Sequence, residues 1–276
     1  MKAAVAASFV CALVPATAQA DSATIVTRVA TAAPEPPASD LDAPPAYASA
    51  TAPSVEVPPD PIVERQASIG AQRGFITPTA LTVPEGRAEL SVRALAPFIG
   101  VIGIAGGITS TTELWVDAGT VMTFDDEADE PHTYAAGLKQ VLGRGRTWAI
   151  AATASARQLT DDGDADTVYS LGGVATICAD DHCNVMMHAG GTMMSIDEGD
   201  DTPETLGLYQ LGFSAGSAKA RFLVELVGNG EGGVVTAGAR IGGDTLAAEF
   251  ALARPFDGGD GEGLAVLPVL GVMARL

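Results

Sequence analysis

The feature that most constrains this chain is a series of segments, starting near residue 87, in which polar and apolar residues alternate. The stretch from Arg87 to Ala94 alternates without a fault. Between residues 219 and 227, Phe222 falls on the face opposite Arg221 and Glu225. Successive side chains of a β-strand point to opposite sides, so this pattern indicates strands with one apolar and one polar face. From residue 87 onward the sequence therefore predicts an all-β fold.

The alternating segments, counted together with less regular ones, predict about twelve strands. Most have about ten residues, the length with which a tilted strand crosses the hydrocarbon layer of a membrane. The predicted strands are 86–96, 98–106, 113–124, 132–142, 146–158, 167–178, 184–196, 205–215, 219–228, 233–242, 245–255 and 263–275. We predict an antiparallel up-and-down transmembrane β-barrel of about 12 strands, within residues 75–276.

The connections between the predicted strands are of two kinds, and the two kinds alternate. The acidic ones, which contain no Lys or Arg, are 125–131, 161–166, 197–204, 229–232 and 257–263. The tight ones are 143–145, 216–218 and 242–244. In an up-and-down barrel every second connection lies at the same end. The sequence therefore predicts short periplasmic turns at one rim and acidic external loops at the other.

The residues before the strands indicate export. Lys2, an apolar run from Ala3 to Ala16, and Ala18-Gln19-Ala20 follow the order of a secretory signal peptide, so we expect cleavage after residue 20. Nine of the 17 prolines lie between residues 31 and 62. Proline at this density favours an extended chain without ladder hydrogen bonds. We interpret residues 21–74 as a disordered Pro/Ala-rich linker.

The charge balance excludes one class of partner. The formal net charge is −19, and nucleic-acid binding needs clustered Lys and Arg. Aromatic residues make up 5% of the chain, which is sparse for the two aromatic girdles of a membrane barrel. A secreted soluble β-sheet binding protein therefore stays open as the alternative to an outer-membrane barrel.

Charged residues on the polar faces are predicted to face one interior and to neutralise one another. This lumen charge network comprises Arg87, Glu89, Arg93, Arg221, Glu225, Arg240 and Glu249, together with Lys139. Side chains partly fill barrels of modest strand number. We therefore expect a narrow pore, or a structural protein of the cell envelope.

Two cysteines follow the predicted cleavage site, and they are close in sequence. Cys178 and Cys183 are expected to form a disulfide, because an exported protein meets an oxidising compartment. The alternative is a zinc site in which Asp180 and His182 join the two thiolates.

No motif in the sequence indicates catalysis or a cofactor. His188 could pair in space with Ser170 or Ser195, but a lone histidine in the lumen is the simpler interpretation. We predict a protein that is not an enzyme and needs no cofactor.

The acidic loops suggest one further partner besides outer-membrane lipid. Residues 161–166 resemble half of a calcium loop but lack its downstream glutamate. We expect weak binding of divalent cations at the external loops.

Three short stretches resemble a known group of proteins. Phe75-Ile76-Thr77-Pro78-Thr79-Ala80, the following Leu81-Thr82-Val83-Pro84-Glu85-Gly86, and Gly107-Ile108-Thr109-Ser110 are similar to stretches of a group of uncharacterised bacterial outer-membrane β-barrel proteins. The third stretch resembles a periplasmic turn that is usually written Tyr-Gly-x-Thr-Asp. It departs from that turn because Gly106 replaces the Tyr and Ser110 replaces the Asp. The resemblance implies a barrel fold and an outer-membrane location, and it implies no activity.

Overall fold

The computed structural model describes residues 61–66, 68–95, 99–121, 131–161, 164–180, 182–197, 204–257 and 266–276. These residues form a short helix, α1, and twelve strands. The bounds are α1 Pro61–Gln66, β1 Ala88–Leu95, β2 Ile99–Thr109, β3 Thr112–Val121, β4 His132–Arg144, β5 Trp148–Asp161, β6 Asp164–Cys178, β7 Val185–Asp197, β8 Glu204–Gly216, β9 Ala220–Gly228, β10 Gly232–Gly242, β11 Leu246–Asp257 and β12 Leu267–Arg275. In the part of the chain that the structure describes, no helix is long and apolar enough to cross a bilayer.

The twelve strands form a closed antiparallel barrel. Each strand pairs with its sequence neighbours, and β1 also pairs with β12, so that Val92 lies opposite Ile102 on one side and Val272 on the other. The predicted 12-strand up-and-down barrel is confirmed. One predicted connection is shorter than expected, because Asp161 and Asp164 pair with each other across the β5–β6 hairpin.

The outside of the barrel is apolar. Side chains at the strand centres that face outward are exposed and aliphatic or aromatic, among them Ile102, Val116, Leu171, Leu211, Phe250 and Val272. A continuous apolar surface of this kind is unfavourable in water and promotes aggregation, whereas contact with lipid tails carries no such penalty in free energy. The exterior is that of a membrane-spanning barrel, and the soluble alternative does not fit it.

The inside of the barrel is filled by the chain that precedes β1. We call residues 61–66 and 68–86 the lumen plug. Ile62, Ile69, Phe75 and Leu81 of the plug are each at most 3% exposed. The prediction that residues 21–74 form one disordered linker is therefore wrong for the described residues from 61 onward, and the rest of that range lies outside the description. The reason is packing, since the apolar residues of this stretch bury themselves against the inner wall.

Three apolar contacts hold the plug to the wall. Ile62, Ala71, Ala80 and Leu81 pack with a cluster on β5, β6 and β7. The other two contacts are made by Phe75 and Ile69, and their partners on the wall are Leu223, Val234, Ala251, Ala253 and Val269 for Phe75, and Ala247 and Met273 for Ile69. The inner wall is therefore apolar in part, and it is not lined by the predicted charges alone.

The plug and the two rims give the barrel a direction. The rim that carries the connections 110–111, 145–147, 179–184, 217–219 and 243–245 is called the turn rim, and the opposite one, where the acid-rich connections lie, the acidic rim. The plug joins the wall at the turn rim, where the backbone of Glu85 forms an isolated parallel β-bridge with Gly107. Phe75 packs against Val234 and Ala253, toward the acidic rim. The plug thus occupies much of the length of the lumen.

Candidate functional site

Four glutamates on the inner wall define the candidate site. Glu89 on β1, Glu113 on β3, Glu225 on β9 and Glu249 on β11 are each at most 4% exposed. Strand alternation turns all four toward the plug. A carboxylate is costly to bury unless it is paired and hydrogen-bonded, so its partners show how the lumen is held together.

Glu89 binds the plug through one oxygen and the wall through the other. Its Oε2 accepts hydrogen bonds from the backbone N–H of Gly70 at 2.9 Å and from the side-chain amide of Gln72 at 2.7 Å. Its Oε1 accepts one from Nε of Arg275 on β12 at 3.1 Å. The carboxylate thus links the plug to the seam that closes the barrel.

Glu113 forms a second such link. The backbone N–H of Val83 donates to Oε2 at 2.7 Å, and the Lys139 ammonium lies 3.2 Å from Oε1. Lys139 also donates to the carbonyl oxygens of Gln72 and Leu81, at 2.9 and 2.8 Å. This ion pair therefore contacts two separate parts of the plug.

Glu225 is the carboxylate most completely used by the plug. The backbone N–H groups of Phe75 and Ile76 donate to its Oε2 at 2.9 and 2.8 Å, and the Thr77 hydroxyl donates to Oε1 at 2.7 Å. Nε2 of His188 lies 2.8 Å from the same hydroxyl and 3.6 Å from Oε1. Glu225 accordingly receives three plug donors at one turn of the backbone.

Glu249 acts through two arginines. Arg240 donates to it through Nε at 2.8 Å, and Arg93 does so at 3.0 Å. The same guanidinium groups donate to plug carbonyls, Arg240 to Gly70 at 2.6 Å and Arg93 to Phe75 at 2.8 Å. The wall thus supplies acceptors for the plug's N–H groups and donors for its carbonyls, as buried backbone requires.

Most residues of the predicted charge network do line the lumen, but two do not behave as predicted. Arg87 is exposed because it precedes β1. Only residues within the strand, such as Glu89, are turned inward by its alternation. Arg221 is buried but makes no described contact with Glu225. It donates instead to Ser214 and to the carbonyls of Cys183 and Gly216 at the turn rim.

Sequence reasoning missed Glu113 and Arg275, and it missed the plug as their common partner. Glu113 alternates with Leu114 as an inward residue should, so its place in the lumen could have been found. The plug contacts could not, because backbone N–H and C=O groups make most of them and these leave no trace in residue type.

The geometry around His188 does not suit catalysis. Its hydrogen-bond partner is Thr77, and not Ser170 or Ser195, the two serines that the sequence suggests. Thr77, His188 and Glu225 are exposed by at most 4%. Glu225 lies near the same ring nitrogen as the hydroxyl, whereas a hydrolytic triad needs the acid on the other nitrogen.

The two cysteines meet at the turn rim. Their sulfur atoms are bonded in the structure, with Cα atoms 4.8 Å apart. The carboxylate of Asp180 binds within the turn. It accepts hydrogen bonds from the backbone N–H of Val185 at 2.8 Å and from the Asn184 amide at 3.1 Å. These hydrogen bonds, that of Val185 first, lower the pKa of Asp180. Among the described residues no group of His, Cys, Asp and Glu is arranged to hold a metal ion.

An open cavity of about 220 Å³ lies between the plug and the wall. Phe75 and Ile76 of the plug form one side of it, and Leu95, Val101 and Trp115 of β1, β2 and β3 form another. We call this space the vestibule. Its lining includes Ile99, Pro255 and Leu267, which lie toward the acidic rim.

Comparisons with known proteins return solved structures that the chain is similar to, and no family. No family model matches the chain, and no curated protein matches it. Among solved structures it is similar to the KdgM porin, with 7% identity, a TM-score of 0.48, and coverage of 68% of this chain and 98% of that one. It is also similar to the KdgM porin in complex with disordered oligogalacturonate (6%, 0.49, 68% and 98%) and to the translocator domain of the autotransporter NalP from Neisseria meningitidis (12%, 0.38, 69% and 86%).

The chain's own structure shows the class of protein to which it belongs. A closed, even-numbered antiparallel barrel with apolar exterior and charged interior is the architecture of bacterial outer-membrane proteins. The chain is a pore-like transmembrane β-barrel of the outer membrane, and its lumen carries a plug formed by its own residues 61–66 and 68–86.

Proposed function

We propose that this protein is a gated outer-membrane conduit that the lumen plug holds closed at rest. A solute that crosses the barrel has to pass the plug. Passage would therefore require the plug to shift or leave, as in large barrels whose lumen is filled by a separate element.

The observation that carries this proposal is the use of the wall carboxylates. Glu89, Glu113 and Glu225 each accept at least one backbone N–H of the plug. Lys139 and Arg240, the cations of two ion pairs, donate hydrogen bonds to carbonyl oxygens of the plug. Such bonds are polar and local, so water that enters the lumen can replace them one by one. A shift of the plug would also have to separate the apolar contacts of Ile62, Ile69 and Phe75.

We also propose that the protein is not an enzyme. The buried contacts of His188 support this, because no substrate can reach the histidine while Thr77 occupies its Nε2. Incubation of the purified barrel with ester, phosphate and glycoside reporter substrates should give no turnover. Turnover that is lost in a His188→Ala variant would contradict this proposal.

The test of closure is conductance in planar bilayers. The full chain should show few or no open steps. A variant lacking residues 61–86 should show stable open steps, because an unplugged lumen of twelve strands exposes a polar passage. A matched variant lacking residues 31–56 keeps the plug and should stay closed.

Assembly has to be checked beside conductance, since the plug contributes to the core. Resistance of the folded barrel to unfolding in detergent at room temperature serves this purpose. If the deletion does not assemble, Glu225→Ala provides a second route, because it removes the acceptor of three plug donors. Equal conductance of full chain and plugless barrel would overturn the proposal, and silence of both would favour a structural role in the envelope.

Divalent cations at the acidic rim are a further proposal from the sequence. The acid-rich connections lie largely outside the described residues, so the support is their lack of Lys and Arg. Carboxylates and lipid phosphates can share such ions. Calcium should raise the thermal stability of the barrel in anionic lipid, and a triple variant with Glu198→Gln, Asp200→Asn and Asp201→Asn should lose this increase.

A further inference from the structure

The vestibule is apolar on most of its surface, but two opposite charges lie in it, and neither forms an ion pair within the described part of the chain. Its apolar lining includes Phe75, Ile76, Leu95, Val101, Trp115, Val234 and Val269. Arg73 of the plug and Asp117 of β3 line it as well. The other charged residues of the lining, Glu113, Lys139 and Arg93, are in ion pairs already described.

Arg73 has donors to spare. Its Nη2 donates to the Ser91 hydroxyl at 2.9 Å. Its Nε is buried and has no hydrogen-bond partner among the described residues. An arginine carries five N–H donors and is always charged, so most of its capacity to bind an acceptor is unused.

Asp117 has acceptors to spare. Its carboxylate lies over Gly103, where an added Cβ would overlap Oδ1. Within the described part of the chain it accepts no hydrogen bond, and it forms no ion pair with Arg73. A half-buried carboxylate that accepts no hydrogen bond is costly, and a ligand with a cationic donor would supply the missing bond.

We propose that the vestibule binds small zwitterions with an apolar body, and aliphatic α-amino acids in particular. The carboxylate of the ligand would meet Arg73, its ammonium group Asp117, and its side chain the apolar lining. This inference rests on the proposed closed state, because Arg73, Phe75 and Ile76 belong to the plug.

The size of the vestibule agrees with such a ligand. A volume of about 220 Å³ corresponds to roughly seven water molecules at liquid density, which is enough for one leucine. Simple fatty acids fit the charges less well, since Asp117 would repel their carboxylate. Sugars fit the walls less well, since apolar side chains offer them no hydrogen bonds.

Leucine binding can be measured through Trp115, which lines the vestibule. The chain has two tryptophans, and Trp148 is 42% exposed on the outer face. In a Trp148→Phe background the fluorescence therefore reports Trp115 alone. We expect a saturable change on titration of the full chain in detergent with L-leucine.

Two analogues separate the charges. In 4-methylpentanoate the ammonium group of leucine is missing, and in 3-methylbutylamine the carboxylate is missing. Each should bind at least tenfold more weakly than leucine, since each leaves one charged partner unsatisfied. Asp117→Asn should weaken leucine at least tenfold without weakening 4-methylpentanoate, and Asp244→Asn, in an exposed turn, should change nothing.

Arg73→Gln should weaken leucine at least tenfold without weakening 3-methylbutylamine. Since Arg73 belongs to the plug, conductance of each variant is recorded beside fluorescence. If Arg73→Gln opens the barrel, Asp117→Asn decides alone, provided that this variant stays closed, because within the described residues Asp117 forms no hydrogen bond and no ion pair with the plug.

Conductance and leucine binding test the closed conduit and the ligand separately. Wild-type conductance would refute closure, whereas a closed barrel without a saturable leucine signal would refute the ligand. Binding of an analogue as tight as that of leucine, or unchanged leucine binding in Asp117→Asn, would also overturn the assignment of a zwitterion.

Discussion

The carboxylate of Glu225 lies directly against the backbone of Gly74, so closely that a Cβ at residue 74 would overlap its Oε1. The hydrogen bonds from Phe75 and Ile76 to Glu225 depend on this approach. Glycine has no Cβ, so it alone permits the contact. Gly74 is thus a position at which any side chain would disturb the fit between plug and wall.

Gly74→Ala should loosen the plug. The added methyl group has to displace Glu225 or the plug backbone, and overpacking of this kind costs about 1–3 kcal/mol. We expect a lower unfolding temperature together with transient open steps in planar bilayers. Gly207→Ala is the matched control, because nothing lies within 4 Å of a Cβ there. A Gly74→Ala barrel as stable and as closed as the control would show that the contact does not hold the plug.

Arginine on the outer face should impair assembly in a way that depends on depth. Leu211 is 49% exposed near the centre of β8, so Leu211→Arg should cost about 2–4 kcal/mol in a bilayer. Phe222 lies near the turn rim, and Phe222→Arg should cost only about 0–1 kcal/mol. Reversible folding into liposomes measures both, with Leu211→Phe as control. Equal costs at the two positions would contradict the placement of the membrane.

The barrel could be predicted from the sequence because its two faces meet different solvents. Lipid outside and a charged interior impose alternation on each strand, and Phe222 beside Arg221 shows it. The sequence predicts the strand ends less well. It places Asp161 and Asp164 in a loop, yet they pair in the hairpin, because backbone pairing can continue beyond the membrane.

The plug could not be predicted for a different physical reason. Its residues form one short helix and otherwise irregular backbone, so they show no strand periodicity. Contacts such as that of Glu225 with the N–H of Phe75 use groups that every residue except proline has. The proline-rich composition therefore indicates a linker that extends to Gly74, whereas in the structure the chain is folded from residue 61 onward.

Cys178 and Cys183 should be linked in protein taken from the cell envelope. The loop they close is short, so the bond should contribute about 2 kcal/mol through the unfolded state. Mass spectrometry under non-reducing conditions tests the linkage, and unfolding with and without reductant tests the contribution. Two free thiols, or zinc that co-purifies with the protein, would favour the metal-site alternative.

Acid should weaken the turn that Asp180 holds. The N–H of Val185 lowers the pKa of Asp180 below its ordinary value of 3.8. A carboxyl whose pKa falls on folding stabilises the fold above its unfolded pKa and loses this contribution as pH falls through the folded one. Wild type should therefore be more stable than Asp180→Asn at neutral pH, and the difference should shrink below pH 3.8. A difference that does not change with pH would contradict this role.

The acidic rim should face the outside of the cell. Short turns lie at the periplasmic end of outer-membrane barrels and longer loops at the external end, and here the turns 217–219 and 243–245 share the rim at which β1 begins and β12 ends. A protease site inserted after residue 199 should be cleaved on intact cells, while one inserted after Ser217 should be cleaved only after the outer membrane is permeabilised. Both variants must assemble, which the heat-dependent shift in gel mobility reports. Cleavage after Ser217 alone on intact cells would reverse the orientation, and the vestibule would then open toward the periplasm.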